Sequence, residues 1–180
     1  MCGDIASVPV QVKAHGLGRG SQTKEDGTST SMLSTVEREP DDAQALHAVP
    51  HSRCVVCGRD NTHGLQIQYS SDAAGATAAD WTPTAAWEGF RGIIHGGIVA
   101  TVLDEAMSKA VAATNCEALT GELRVRYRRT VVTGEILHVR GWIVKRAKRL
   151  VTTEASLTAT DGSERAHAWA SFLTLPRRPD

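Results

Sequence analysis

Two adjacent glycines, Gly96 and Gly97, stand directly before a long apolar stretch, and Asp104 follows seven residues after the second of them. The pattern predicts a helix that begins at Gly96, and the first N–H groups of a helix have no partner inside it. These groups carry the positive end of the helix dipole, so they can hold an anion or a developing oxyanion. Glycine lets a substrate approach them because it has no Cβ. We therefore predict that Gly97, helped by Gly96, forms an oxyanion hole, although paired glycines also serve simply as tight turns.

Asp104 is the acidic residue that we expect to take part in chemistry. It lies two turns beyond Gly97 on nearly the same helix face, whereas its neighbours Val102 and Leu103 are apolar. A carboxylate among apolar side chains must be satisfied by partners or used in a reaction. Glu105, one position round the helix, could instead point to solvent or pair with a basic residue.

The spacing of these residues also predicts the assembly. Seven residues at a rise of about 1.5 Å place Asp104 about 10 Å along the axis from Gly97. A general base must come within ~3 Å of its target or act through one water, so Asp104 can hardly serve a carbonyl held at its own helix start. A second copy of the helix, packed antiparallel, would bring Asp104 of one chain near Gly97 of the other. We predict a homodimer with two shared active sites, and leave a tetramer open.

The elements around this helix predict an α+β fold. The helix runs from Gly96 to about Ala113 and is apolar over more than half of its circumference, so other elements must wrap it. Several strands follow without another helix, which predicts a long antiparallel β-sheet wrapped around one central α-helix. The predicted strands cover residues 65–69, 76–87, 119–128, 135–145, 150–160 and 164–175, with Pro83 at an edge or bulge and Asp161-Gly162 in a hairpin turn.

The strand after the helix alternates between two kinds of side chain. One face carries Leu119, Gly121, Leu123, Val125 and Tyr127, and the other carries Thr120, Glu122, Arg124, Arg126 and Arg128. We expect the three arginines to face solvent.

Composition limits the partners and the location of the protein. The 180 residues include 20 basic and 20 acidic ones, so the net charge gives no reason to expect nucleic acid or a membrane as partner. No apolar run approaches the ~20 residues of a membrane helix. We expect a cytoplasmic protein with reduced cysteines. Residues 1–48 are polar and predict a flexible N-terminal extension with one short helix over 41–48, and residues 49–180 form the domain.

One cluster of residues suggests a metal. His51, Cys54, Cys57 and His63 offer four zinc-type ligands within 13 residues. Zinc sites usually separate their two ligand pairs by a longer loop. We therefore predict a tight turn with packed thiols and no metal, with a metal knuckle as the alternative.

A longer stretch resembles a known family. The segment HGGIVATVLDEA, residues 95–106, resembles the signature of hotdog-fold acyl-CoA thioesterases of the PaaI-like group, in which an acidic residue follows nine places after the histidine. Asp104 occupies that place. The segments GFRGIIHGG, ALTGELRVRYRRTVVTGE and CVVCGRDNTHGLQIQY extend the likeness to about residues 50–175. The resemblance implies the hotdog fold.

The resemblance also implies a reaction, the hydrolysis of a fatty or aromatic acyl-CoA thioester to the free acid and CoA without a cofactor. Asp104 would activate water or attack the thioester carbonyl, and Gly97 with Gly96 would hold the oxyanion. His95 would orient the loop or the thioester. Thr120 would lie beside the attacking water.

Other functions stay open on the same scaffold. His95 with Asp104 or Glu105 could act as an enoyl-CoA hydratase or dehydratase, and a non-catalytic acyl-CoA-binding protein is a further alternative. The sequence departs from the family pattern at Thr130, where many relatives have proline, and at Glu88, close to where some have asparagine or glutamine.

A basic stretch is the candidate site for the nucleotide end of CoA. It contains Lys145, Arg146, Lys148 and Arg149, and falls at a predicted strand connection. These side chains could bind phosphates, or they could form a solvated hairpin tip.

Overall fold

The regular structure consists of one α-helix, eight β-strands and two short 3-10 segments in the part of the chain that the computed structural model describes, residues 51–72 and 74–175. The predicted N-terminal extension, with its short helix, lies outside these residues. The helix α1 spans Gly96–Ala112, and the 3-10 segments span His51–Arg53 and Ala85–Trp87. The strands are β1 (Ser70–Ser71), β2 (Thr77–Trp81), β3 (Glu88–Phe90), β4 (Ile93–Ile94), β5 (Ala118–Tyr127), β6 (Leu137–Ala147), β7 (Leu150–Ala159) and β8 (Glu164–Thr174).

Six of the strands form one antiparallel sheet in the order β1-β2-β6-β7-β8-β5. The strands β3 and β4 form a separate small hairpin just before the helix. The helix packs on the long strands β5 to β8 and on β2. The predicted fold class, an antiparallel sheet wrapped around one central helix, is confirmed. No helix in the described residues is long and apolar enough to cross a membrane.

The helix lies very close to the sheet. A Cβ at Gly141 of β6 would lie 2.5 Å from the carbonyl carbon and oxygen of Ala106, so the strand can approach the helix backbone only through a glycine. The Thr77 hydroxyl of β2 donates a hydrogen bond of 2.7 Å to the same carbonyl. These contacts fix which side of α1 meets the sheet. The buried residues of α1 are Val99, Val102, Leu103, Ala106, Met107, Ala110 and Val111.

The strand predicted over residues 65–69 is wrong, because pairing begins only at Ser70. Gln66 has a φ of 53°, a left-handed backbone conformation that interrupts an extended strand. Ile67 is nevertheless buried, so the alternating pattern correctly indicated a buried side chain but not a hydrogen-bonded strand. The next predicted strand is shorter than expected. It ends at Trp81, before Pro83, which cannot donate a ladder hydrogen bond.

A β-bulge at Gly121 changes which side chains of β5 face the helix. The strand register pairs Thr120 with Phe172 and then shifts by one residue before Glu122. Cross-strand partners point to the same side of a sheet, and Phe172 is buried, so Thr120 faces the helix. Leu119, predicted to face inward, is 47% exposed. The predicted alternation is therefore wrong for Leu119 and Thr120, which precede the bulge. The three arginines that follow it are exposed as expected.

Candidate active site

His95 caps the start of the helix with its side chain. Its backbone is extended, with φ −60° and ψ 131°, and its Nδ1 accepts the Gly97 N–H at 2.9 Å. A neutral ring whose Nδ1 accepts a hydrogen bond carries its proton on Nε2. The predicted oxyanion donor is therefore held by the chain's own histidine, and a substrate carbonyl must replace the ring to reach it.

Tyr127 is a residue of the helix start that the sequence prediction missed. Its hydroxyl donates a hydrogen bond of 2.8 Å to the Gly96 carbonyl, and its ring lies against the same glycine. The alternation of β5 placed Tyr127 only among the apolar residues of the strand. Its hydroxyl group was the one feature in the sequence that could have indicated a polar contact. A pocket of about 280 Å³ opens beside this ring and is lined mainly by apolar side chains of β4, α1 and residues 127–131.

Asp104 and Thr120 meet beside the middle of the helix. The Thr120 hydroxyl donates a hydrogen bond of 2.9 Å to Oδ1 of Asp104. Burial raises the pKa of the Asp104 carboxyl, the Thr120 hydrogen bond opposes that rise, and the nearby Glu105 charge adds to it, with a raised pKa as the result. A half-buried carboxylate with a raised pKa and a hydrogen bond from a hydroxyl group is suited to accept a proton from water.

Gly97 and Asp104 share the helix face that the sheet leaves uncovered. Gly97 is exposed, and Thr101 and Asp104, one and two turns further on, are half-buried. The Thr101 hydroxyl is turned back along the helix to the Gly97 carbonyl, at 2.8 Å. Because the helix is continuous, Asp104 lies about 10 Å along the axis from Gly97. One chain therefore holds two half-sites, the helix start with His95 and the carboxylate with Thr120, that do not meet.

Glu105 lies on another flank of the helix and does not join Asp104 in one site. One carboxylate oxygen lies 3.4 Å from Nζ of Lys109, and the other accepts from Sγ of Cys54 at 3.7 Å. The predicted pairing of Glu105 with a basic residue is thus seen. Burial, followed by the hydrogen bond and negative charge of Glu105, raises the pKa of the Cys57 thiol to about 12. The flank forms a polar cluster of two thiols, a carboxylate and an ammonium group.

The four ligands of the alternative metal knuckle are only partly assembled. Cys54 and Cys57 lie together, but His63 is exposed and does not belong to the group that they form with Glu105. The side chain of His51 lies outside the described part of the structure. Glu105 could not be recognised from sequence as a member of this cluster, because 51 residues separate it from Cys54.

The predicted phosphate-binding residues lie at the hairpin between β6 and β7, with Arg146 near the end of β6 and Lys148 and Arg149 in the turn. Arg146, Lys148 and Arg149 are all exposed there, as in the alternative of a solvated hairpin tip. Arg146 donates to the Thr114 hydroxyl at 3.0 Å, and Arg149 donates to a β8 carbonyl at 3.2 Å. Thr114 follows the end of α1, so this turn lies at the opposite end of the helix from Gly97. The basic residues therefore join neither half-site of their own helix face.

The two departures from the family pattern lie close to the helix start. Glu88 accepts a hydrogen bond of 2.8 Å from the Thr133 hydroxyl, so its carboxylate already has a partner within the chain. Thr130 contributes to the wall of the pocket beside Tyr127. Neither residue interferes with the contacts of His95, Asp104 or their partners.

Comparison with known families identifies the region that carries this geometry. Residues 91–166 match the family described as the thioesterase superfamily. The match includes the helix start, Asp104 and Thr120. This segment of the chain is similar to the thioesterase superfamily. The described domain has the hotdog fold, as the resemblance implied.

Several solved structures share this fold. A thioesterase superfamily protein matches at 25% identity with a TM-score of 0.62 over 64% of this chain, and this chain spans 60% of that relative's length. A Streptococcus mutans UA159 protein bound to acetyl CoA matches at 18% identity with a TM-score of 0.59, covering 63% of this chain and 91% of that one. The PaaI protein of the E. coli phenylacetic acid degradation operon matches at 17% identity with a TM-score of 0.58, covering 61% and 83%. A comparison with curated protein sequences finds no match.

Proposed function

We propose that this protein is an acyl-CoA thioesterase that hydrolyses a fatty or aromatic acyl-CoA thioester to the free acid and CoA. The observation that carries the proposal is the pair of Asp104 and Thr120 on the uncovered helix face that also holds Gly97. A thioester is already activated, so a carboxylate, an oxyanion hole and a positioned substrate can suffice without a cofactor. The match of residues 91–166 to the thioesterase superfamily and the acetyl CoA bound to the Streptococcus mutans protein support an acyl-CoA as substrate.

Two protomers complete each active site in this proposal. The strand β5, ten residues long, lies at an edge of the sheet, and among the described residues only β8 pairs with it. A long exposed edge strand is a surface for pairing with another chain. An antiparallel β5 of a second protomer would set the two helices side by side and antiparallel. In that arrangement the partner subunit covers the helix face that carries Gly97 and Asp104. The Asp104 half-site of each protomer then lies beside the helix start of the other protomer.

The antiparallel arrangement also gives the basic turn a role. If Asp104 lies level with Gly97 of the partner subunit, then Thr114 lies about 15 Å beyond that glycine, at ten residues and ~1.5 Å each. Arg146 is hydrogen-bonded to Thr114 and therefore lies near this point. An extended pantetheine arm can cover such a distance. Arg146, Lys148 and Arg149 would then bind the phosphates of a CoA whose thioester lies in the shared site.

The proposed reaction uses one water and balances without any other reactant. The Thr120 oxygen, which donates to Asp104, can accept a hydrogen bond from the water. Asp104 takes a proton from this water while the water oxygen attacks the thioester carbon. The Gly97 N–H of the partner subunit donates a hydrogen bond to the resulting oxyanion, after the His95 ring that caps it has moved away. The C–S bond then breaks, and the proton on Asp104 passes to the CoA sulfur. The products are the free acid and the CoA thiol.

A panel of acyl-CoA thioesters, short to long and aliphatic to aryl, tests the proposed reaction by release of free thiol. We expect stoichiometric thiol and acid from at least one class of acyl group. Loss of enoyl absorbance without thiol would indicate a hydratase instead, and tight binding without turnover would indicate a binding protein. Either result would contradict the proposal.

A further inference from the structure

The Cys-x-x-Cys segment and the central helix bring three metal-binding atoms together. Sγ of Cys54, Sγ of Cys57 and a carboxylate oxygen of Glu105 all lie within 4.8 Å of one another. Metal–ligand bonds of about 2.0 to 2.3 Å in a tetrahedral site place the ligand atoms about 3.3 to 3.8 Å apart. Adjustments of these side chains by about an ångström would therefore let all three atoms bind one ion. Both cysteines are free thiols.

The backbone holds the two thiols on one side of a tight turn. The Val56 N–H donates to Sγ of Cys54 at 3.4 Å, and the Gly58 N–H donates to the Cys54 carbonyl at 2.9 Å. A Cβ at position 58 would lie 2.4 Å from the Cys54 nitrogen, so the turn can close only around a glycine. The Val56 N–H therefore holds the Cys54 sulfur in place on the side of the turn that faces Glu105. Val56 is buried in the core and anchors the turn.

The charges around the cluster suit a divalent cation. When a divalent ion binds, the two thiols release their protons to solvent, and the two thiolates with the Glu105 carboxylate then carry three negative charges, of which the ion neutralises two. Lys109, whose Nζ lies 3.4 Å from Glu105, supplies the third positive charge. Soft thiolates with one carboxylate select zinc-class ions over magnesium or calcium, which prefer oxygen ligands alone.

We propose that Cys54, Cys57 and Glu105 form a binding site for a divalent ion of the zinc class, with Lys109 as the neighbouring counter-charge. The fourth position of a tetrahedral ion is left to water. The ligand set differs from the knuckle suggested by sequence, because the third ligand comes from the helix instead of a histidine. The ion ties the segment before the sheet to α1, one residue from Asp104, and so stiffens the part of the helix that carries the half-site. This site does not depend on the hydrolase reaction.

Cobalt(II) is the probe for this site, because a thiolate bound to it gives a charge-transfer absorbance that oxygen ligands do not. The chelator-treated, fully reduced chain should bind one cobalt ion with this absorbance, and zinc should displace it. Cys54→Ser and Cys57→Ser should each weaken the affinity and reduce the absorbance. Glu105→Gln should retain the thiolate absorbance but bind at least about tenfold more weakly, since loss even of an outer partner costs that much. Zinc should raise the melting temperature of the wild type and not of the cysteine variants.

Two matched variants decide between this ligand set and others. Cys116→Ser removes a thiol outside the cluster and should bind cobalt like the wild type, and His63→Ala should do the same. The proposal is overturned if the wild type shows no thiolate–cobalt absorbance, or if Glu105→Gln binds with unchanged affinity. It is also overturned if His63→Ala weakens binding and Glu105→Gln does not. If a cysteine variant fails to fold, the cobalt affinities of Glu105→Gln and His63→Ala still show whether Glu105 or His63 is the third ligand.

Discussion

The N–H of Gly97 donates a hydrogen bond of 2.9 Å to Nδ1 of His95, so the helix start is closed by the histidine that precedes it. The ring lies directly over the glycine, because a Cβ at position 97 would be 3.0 Å from the same nitrogen. In the proposed reaction this N–H turns to the substrate oxyanion. Access then requires a rotation of one side chain, while the helix backbone keeps its position.

Replacing His95 by alanine should destabilise the protein by about 1 kcal/mol, because the first turn of α1 loses its side-chain cap. The corresponding loss in melting temperature is a few degrees for a domain of this size. Asparagine is a favoured cap residue, so His95→Asn should recover most of the loss. Thermal unfolding of the three proteins measures the effect. Identical melting temperatures for all three would show that the ring does not stabilise the helix start.

Removing the Thr120 hydroxyl should shift the pH dependence of catalysis. Its hydrogen bond stabilises ionised Asp104 and so lowers the pKa of that carboxyl. In Thr120→Val the pKa of Asp104 should rise further, and the acidic limb of the kcat/KM profile should move to higher pH. The rate should fall by about ten- to a hundredfold, as expected for a hydrogen bond to a charged group. Thr120→Ser keeps the hydroxyl and serves as the control, and an unmoved acidic limb in the valine variant would refute the role.

Asp104→Asn should lower thiol release by orders of magnitude without destabilising the fold. The pKa of Asp104 is raised in the folded chain from its ordinary value of 3.8, so the unfolded chain gives up this proton more readily. Stability of the wild type therefore falls as the pH rises from about that value through the folded pKa. The asparagine variant lacks this loss and should be at least as stable near neutral pH, with the difference vanishing in acid. Denaturant unfolding over pH checks this, and a variant less stable at neutral pH would contradict it.

Lys148→Asn tests the basic turn. Lys148 has a φ of 54°, which asparagine tolerates, so the substitution removes a charge without straining the turn. KM for an acyl-CoA should rise roughly two- to fivefold, the size of one exposed ion pair. KM for an acyl-pantetheine thioester, which lacks the nucleotide, should not change. Arg140→Gln, which removes an exposed charge in the middle of β6, is the control. An equal effect on both substrates would exclude phosphate binding by Lys148.

The helix could be predicted from sequence because its signals are local. The apolar spacing and the glycines at its start placed it at Gly96 to about Ala113, and it spans Gly96–Ala112. The same spacing correctly predicted that Asp104 lies on the helix face of Gly97, too far along the axis to act on a carbonyl held at Gly97 of the same chain. The antiparallel sheet followed from alternating strands and from the Asp161-Gly162 turn, where Gly162 has a φ of 80°.

The remaining features depend on contacts between distant segments. The resemblance identified Thr120 as a site residue, whereas strand alternation predicted that its side chain points away from the helix. The bulge at Gly121 shifts the alternation by one residue, so that Thr120 faces the helix. Alternation cannot reveal a bulge, because it assumes a constant period of two. The meeting of Cys54 with Glu105 depends on where an irregular segment lies against the helix, and no spacing rule supplies that.

A mixed dimer tests the shared site most directly. One chain carries Asp104→Ala, and the other carries Gly97→Val, whose branched side chain blocks the helix start. If each site combines Asp104 of one protomer with Gly97 of the other, the mixed dimer has one intact site and one doubly damaged site. Each mutant homodimer has only damaged sites.

The measurement is thiol release by the purified mixed dimer, compared with the wild type and with both mutant homodimers. The proposed shared site predicts about half of the wild-type activity per dimer from the mixed species, and almost none from either homodimer. A mixed dimer as inactive as its parents, formed in good yield and correctly folded, would show that the aspartate and the helix start do not act across two chains.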